Sequence, residues 1–226
     1  IINREDYFRC RFIEVEGDGA GTVLRPNFGL AGPATSDVRI DGCLLHTGTE
    51  IINVDGASDN VYIFNTIIYD GVGYGIIVTA DSTVYIYSTT IIDCDRCVRV
   101  NSANANINLK NTLMRHDGVQ CLLESAGTLT LDYCASNDAT ADDFLGANNQ
   151  VNQTYTFIND AGNNLHLASN DVGAKDLGVD TSGEGAPLNF TTDIDAETRS
   201  GTWDIGADEY IAAAGGIVVL RRRRAA

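Results

Sequence analysis

The sequence predicts an all-β fold: a short right-handed parallel β-helix of about five to six coils, 22–23 residues each, with a C-terminal capping segment. Three observations carry this reading. One block of fixed length is written repeatedly: VYIFNTIIYDGVGYGIIVTADST, from Val61, is followed at once by VYIYSTTIIDCDRCVRVNSANAN, from Val84. Within each block, apolar residues alternate in short runs broken by Gly, Asn, Asp and Ser, which is strand and turn chemistry. No stretch carries the 3.6-residue period of an amphipathic helix.

The openings fall at Val38, Val61, Val84, Ile107 and Leu129. A fixed period of this length marks a solenoid, in which no coil buries its apolar face alone and stacking builds one long core. The first and third positions are Val38/Ile40, Val61/Ile63, Val84/Ile86, Ile107/Leu109 and Leu129/Leu131, so that face of the opening strand is expected inside. The fifth position (Gly42, Asn65, Ser88, Asn111, Tyr133) suits a bend, where Asn side chains are expected to stack as a ladder. The sixth (Cys43, Thr66, Thr89, Thr112, Cys134) is small and weakly polar, suited to interior stacking. The eighth is Leu45, Ile68, Ile91 and Met114, and a later column is expected from Val54, Ile77, Val100 and Leu122. The seventh position (Leu44, Ile67, Thr90, Leu113) is also largely apolar, so periodicity leaves open which side of the second strand faces in. A β-sandwich, the alternative, predicts alternating hairpins with two-residue turn signals, which are absent. Right-handedness follows from the crossover rule rather than from any residue.

After about residue 140 the rhythm dissolves. Asn164-Leu165-His166-Leu167 with Ser169 and Gly178, then Asp193, Asp195 and Arg199, then Asp204-Ile205-Gly206-Ala207-Asp208-Glu209 follow in order. This arrangement resembles the end of choice-of-anchor Q proteins, surface proteins built on parallel β-helix repeats, with Ala196 where that family usually has Gly. The resemblance covers about residues 155–210 specifically and the repeats generically. It implies a β-helix and a setting outside the cell, at the cell surface or on a virion such as a phage tail, and it implies no chemistry. The organisation expected is therefore repeats over 1–145, a capping segment over 146–210 and an apolar, basic tail over 211–226. Asp193, Asp195, Asp204 and Glu209 are expected to clasp the Arg199 guanidinium, and the segment to cap the open end of the solenoid.

Fifteen basic residues against 31 acidic ones give a net charge of −16, and Arg221, Arg222, Arg223 and Arg224 supply four of the fifteen. The body of the chain thus carries 11 against 31, which argues against nucleic acid as a partner. Ile217 to Leu220 have the composition of an added strand, and the four arginines are expected to meet carboxylates of a neighbouring subunit or of the β-helix itself. The apolar run from Ile211 to Leu220 is about half a membrane span. The chain starts at Ile1, which fits a processed form or a fragment whose leader is already gone. Of six cysteines, Cys94 and Cys97 form a C-x-x-C with no second pair or nearby histidines to complete a zinc site, leaving a disulfide or redox pair as the other reading. Cys43 and Cys134 lie too many coils apart to bond and read as small buried hydrophobes.

Two candidate sites stand out. Tyr62, Phe64, Tyr85 and Tyr87 occupy outward positions of neighbouring coils, about 4.8 Å apart along the axis. Exposed, they form a stacking platform for sugar rings or a protein interface; the competing arrangement has the post-repeat segment, with Trp203, lying over them. Asp70 and Asp93 are equivalent bend positions, with Asp95, Arg96, His116 and Asp117 beside them. Stacked carboxylates of this kind hold calcium or position two acids, whereas Asp is also simply a good turn residue. The function expected is a non-catalytic structural or adhesive surface protein without a cofactor, assembling with copies of itself or other coat subunits and contacting glycans. The alternative is an extracellular polysaccharide lyase or glycoside hydrolase using the Asp70/Asp93 bend.

Overall fold

A computed structural model describes residues 7–26, 37–56 and 58–212. Its strands are, in chain order, β1 (Tyr7–Arg11), β2 (Glu14–Glu16), β3 (Thr22–Leu24), β4 (Asp37–Asp41), β5 (Leu44–Val54), β6 (Ser58–Phe64) and β7 (Ile67–Val78). β8 (Ser82–Tyr87), β9 (Thr90–Lys110), β10 (Leu113–Asp132), β11 (Ala135–Ser136), β12 (Leu145–Ala147), β13 (Phe157–Asn159) and β14 (Asn164–Leu167) follow. Among the described residues there is no α-helix, only two single 3-10 turns, and no helix is long and apolar enough to cross a membrane.

Every solenoid pairing is parallel, each strand lying beside its equivalent one coil away. Val38 pairs with Val61, Val61 with Val84, Val84 with Ile107 and Ile107 with Leu129. This is a parallel β-solenoid of about four turns, slightly fewer than the five to six coils expected. The five openings bound four regular turns; the first coil is stretched, with Phe8 paired to Val38, and the last is cut short, with Thr130 paired to Leu145.

The interior columns follow the repeat. Positions one and three, from Val38 and Ile40 to Leu129 and Leu131, are buried, as are position six (Cys43, Thr66, Thr89, Thr112, Cys134) and position eight. The fifth position is the first bend of each coil, in the left-handed region: φ is 63° at Gly42, 47° at Asn65, 43° at Ser88, 49° at Asn111 and 51° at Tyr133. That bend explains the sixth column. Thr66 and Thr89 donate to the carbonyl two residues back (Phe64, 2.9 Å; Tyr87, 3.0 Å), and the Cys43 and Cys134 thiols meet Asp41 and Asp132 in the same way at 3.4 and 3.5 Å. A small side chain with a donor thus satisfies a carbonyl turned inward by the bend, where a larger apolar residue leaves it unpaired.

Two expectations are corrected. The late column is not Val54, Ile77, Val100 and Leu122. Ile52 pairs with Ile76, Ile76 with Val98 and Val98 with Leu122, while Val54, Val78 and Val100 form their own row; Ile77 sits opposite Asn53 and Arg99. Irregularities between Gly48 and Glu50 and between Gly71 and Tyr74 shift the register by a residue, and such a slip exchanges the two faces. Nor do the bend asparagines form a ladder. Asn65 donates to the Thr192 carbonyl at 2.9 Å, and Asn111 holds both backbone groups of Val179, at 2.7 and 2.9 Å. They anchor the C-terminal segment instead.

That segment lies along the flank of the solenoid. The second strand's seventh-position residues, Ile67 and Leu113, with Tyr69 and Ile92, pack outward against Tyr155, Phe157, Leu165, Leu167, Ile205 and Ala207. β13 and β14 form its antiparallel hairpin. The Ala207 N–H donates to the Thr90 hydroxyl (3.0 Å) and the Gly206 N–H to the Asn111 carbonyl (2.9 Å). Gly206 has φ 121°, and a Cβ there meets Thr90 Oγ1 at 2.8 Å, so only glycine lets the backbone approach this closely. The segment is therefore a side cover of stacked coils rather than an end cap. Asn111→Ala is expected to cost about 2–4 kcal/mol, losing two hydrogen bonds and placing alanine in a left-handed bend. Asn111→Gly keeps the bend and should lose less, which urea midpoints of the two variants will separate.

Candidate functional site

Tyr62 pairs with Tyr85 and Phe64 with Tyr87 across adjacent coils, so all four rings share one face as expected. They do not share one fate. Leu188 and Phe190 of the C-terminal segment close over the far half: Phe64 is 6% and Tyr87 8% exposed, and Phe64 stacks on Phe190 at 5.2 Å. Trp203 packs next to Phe190, at 6.1 Å. Tyr62 and Tyr85 remain half-buried, stacked on each other at 5.2 Å and 11°. The open four-ring platform is corrected to a half-covered one. Each aromatic buries on the order of 150–250 Å², which favours covering them with apolar chain wherever it reaches. Burial pushes the Tyr87 phenol above its usual value, and Lys110 sits 5.6 Å from its ring while bonding Glu184 at 2.7 Å.

Asp70 and Asp93 occupy left-handed bends, with φ 55° and 53°, a conformation that short polar side chains tolerate. Asp70 is exposed. Both oxygens of Asp93 accept from Arg115 Nη2 at 2.8 Å, and the same guanidinium holds Asp160 at 2.8 and 2.9 Å while packing over the Phe157 ring. Asp93 is thus one arm of an ion bridge that ties the solenoid to the β13–β14 turn. Asp95 pairs with Arg96 at 2.7 Å, and His116 faces Asp138 at 3.6 Å. Of the pair expected to hold calcium, Asp93 is thus engaged by Arg115 while Asp70 faces solvent. Ile68 pairs with Ile91 and Gly71 with Cys94, so the two bends stack in register and the irregularity between Gly71 and Tyr74 comes only after them.

Among the described residues, the group of three metal-ligating side chains lies elsewhere, at His166, Asp195 and Asp208, whose donor atoms fall within 4.8 Å of one another. His166 is carried on β14 and turns Nε2 to Asp195 Oδ2 (2.7 Å) and Nδ1 to Asn164 Oδ1 (2.6 Å). Asp208 is buried and accepts from the Leu167 N–H at 2.7 Å. His166 and Asp195 open into a groove of about 330 Å³ whose other walls include Phe12, Ile13, Leu44 and Leu165. The Asp195 hydrogen bond, against burial, holds His166 up at about 9, and the same bond holds Asp195 below the usual carboxylate range. Burial pushes Asp208 up to about 6. At neutral pH the arrangement is an imidazolium–carboxylate pair, and a cation binding there must displace the histidine proton. The sequence placed His166 and Asp195 in separate motif segments 29 residues apart, and no local signal joins them.

The pH dependence has a definite sign. The raised folded-state value of His166 gives stabilisation that is complete below its unfolded value near 6.5 and is lost as pH rises through about 9. The Asp195 contribution is present above the carboxylate's unfolded value and is lost on acidification. Both groups are partly solvent-exposed, so wild type should exceed His166→Gln in melting temperature by only about 2–4 °C at pH 6. The gap should vanish by about pH 10. A gap that is constant across this range rules out the ion pair as its source.

The clasp around Arg199 is narrower than expected. Arg199 is 4% exposed, bonds Glu209 at 3.3 Å and donates to the carbonyls of Gly206 (3.0 Å) and Ala207 (2.9 Å) and to Asn65 Oδ1 (3.4 Å). Asp193 and Asp204 serve the backbone instead. Asp193 accepts from the N–H groups of Asp195, Glu197 and Glu209, and Asp204 from those of Asp176 and Tyr210. Asp195 turns away to His166. A segment with little regular structure needs side-chain acceptors for its buried amides, and carboxylates are the strongest available.

Arg221, Arg222, Arg223 and Arg224, with the strand expected at Ile217 to Leu220, lie outside the described residues. No protein-family model matches this chain, and neither a curated protein nor a solved structure matches it.

Proposed function

We propose that the chain is a non-catalytic structural or adhesive β-helix protein of the choice-of-anchor Q type, displayed on a cell envelope or virion surface. It assembles with copies of itself or with other surface subunits and contacts glycans through the half-exposed Tyr62 and Tyr85. The observation that carries this reading is the state of the candidate acid bend. Asp93 is held on both oxygens by Arg115, which Asp160 also engages, so the carboxylate serves as a tie between solenoid and hairpin. A lyase or hydrolase of this architecture needs such carboxylates open to a cation, a water or a sugar.

The test is incubation of the full chain with an anionic polysaccharide and calcium. Neither wild type nor Asp93→Ala should release unsaturated sugars. Calcium-dependent release that Asp93→Ala abolishes establishes the enzymatic alternative instead. For assembly, the acidic body and the four terminal arginines carry opposite charge, and head-to-tail docking builds an open array. Deleting residues 215–226 should lower light scattering at low salt and leave it unchanged at high salt. Equal assembly of the two forms removes the tail from the reading.

A further inference from the structure

All six cysteines are buried thiols, but they are not in equivalent surroundings. Cys94 and Cys97 hydrogen-bond the carbonyls of Ile92 and Ile91, Cys121 meets Asn137 Oδ1, and Cys134 meets the Asp132 carbonyl. Cys10 and Cys43 face each other with their sulfurs 3.3 Å apart. Cys10 occupies the third repeat position of the first coil, in register with Ile40, and Cys43 follows the left-handed bend at Gly42 in the next coil. The bend turns the sixth-position side chain back beneath the third-position side chain of the preceding coil. In the other coils an aliphatic residue fills that third position; only here is it a second sulfur.

We propose that Cys10 and Cys43 are a modification site, oxidised by a low-molecular-weight disulfide to a bridge that staples the first coil to the second. The sulfurs need approach by only about 1.3 Å to reach bonding distance, a shift within reach of small χ1 adjustments. Access is provided on one side. Cys10 lines a groove of about 330 Å³ bordered by Arg11, Arg39, Asp41 and Phe64, and is 7% exposed, whereas Cys43 is fully buried. Cys10 therefore reacts first. The Cys10–Cys43 hydrogen bond raises the Cys10 thiol and lowers the Cys43 thiol, but only Cys10 borders the groove. The Cys10 sulfur, as thiolate, attacks one sulfur of the oxidant RSSR, the S–S bond breaks, and RS⁻ leaves with the Cys10 proton as RSH. The Cys43 thiolate then attacks the Cys10 sulfur of the mixed disulfide, and a second RS⁻ departs with the Cys43 proton. Two thiols are oxidised and one external disulfide is reduced to two thiols.

Cys97 and Cys121 also share a hydrogen bond, but both are fully buried and neither borders this groove. The location gives the bridge a consequence. The first coil is the irregular one, its opening 30 residues from the next rather than 22 or 23. A covalent link at Cys10–Cys43 holds that coil in place and closes a loop 33 residues long.

The test uses the full chain, reduced, freed of reductant and incubated with glutathione disulfide under native conditions. It is then denatured, alkylated with N-ethylmaleimide and mapped by mass spectrometry. The expected product carries four alkylated cysteines and a Cys10–Cys43 cross-linked peptide, with a melting temperature about 5–10 °C above the reduced chain. Cys43→Ser, treated identically, should show no cross-link and should retain glutathione on Cys10. Six alkylated cysteines, a bridge mapped to Cys97–Cys121, or glutathione left on Cys10 of the wild type each overturn the proposal. The wild-type map stands by itself should Cys43→Ser fold poorly.

Discussion

Replacing Arg199 with Ala is expected to cost about 3–5 kcal/mol and to detach the C-terminal segment from the solenoid. The guanidinium is buried and meets one carboxylate, two backbone carbonyls and the bend residue Asn65, so it links the segment both to itself and to the repeats. Burial pulls the Arg199 value below its ordinary range, with Glu209 and then Asp193 opposing that pull. Removing the side chain leaves Glu209, itself 6% exposed, without its counter-charge, and takes from the Gly206 carbonyl its donor, while the Ala207 carbonyl keeps the Ile194 N–H. Arg199→Lys should recover little, because an ammonium cannot span acceptors arranged around a planar fork. Urea unfolding, with limited proteolysis of the 148–212 region as a second readout, checks this. A variant as protease-resistant as wild type shows that the apolar contacts of the flank alone hold the segment.

Val84→Asp should be at least as damaging, on the order of 4–5 kcal/mol or more, enough to unfold most of a marginally stable domain. Val84 is fully buried in the middle of the solenoid, between Val61 and Ile107 in the same column. A carboxylate there has aliphatic neighbours above and below. Val84→Ile, which adds one methylene to the same column, should cost about 1–3 kcal/mol at most. Circular dichroism and urea midpoints give the comparison. A Val84→Asp variant with the wild-type midpoint is incompatible with a packed interior column.

The parts of the fold legible in the sequence were those repeated in every coil. Val38, Val61, Val84, Ile107 and Leu129 announce their own register, and the fifth-position residues mark a bend because only a few side chains tolerate a left-handed φ. The sixth column was legible as small and interior, although its reason, a donor for the carbonyl two residues back, appears only with the bend in view. The late column was misassigned because a single extra residue at a bulge exchanges inner and outer faces without altering composition.

What the sequence determined by itself was the solenoid: its period, its parallel pairing and the side chains that fill it, all set by contacts between equivalent residues one coil apart. The tertiary structure alone decided where the C-terminal segment lies, and with it the fate of the candidate sites. Ile67 and Leu113 read as apolar whether the solenoid core or a flanking segment covers them, so alternation cannot distinguish the two. Asn65 finds its partner 127 residues away, Asn111 finds Val179 68 residues away, and Asp93 reaches Asp160 only through Arg115. Contacts at such separations leave no period in the chain. They form because buried amides, aromatic faces and charges left over by the repeats must each be satisfied, and the irregular segment is the part of the chain able to reach them.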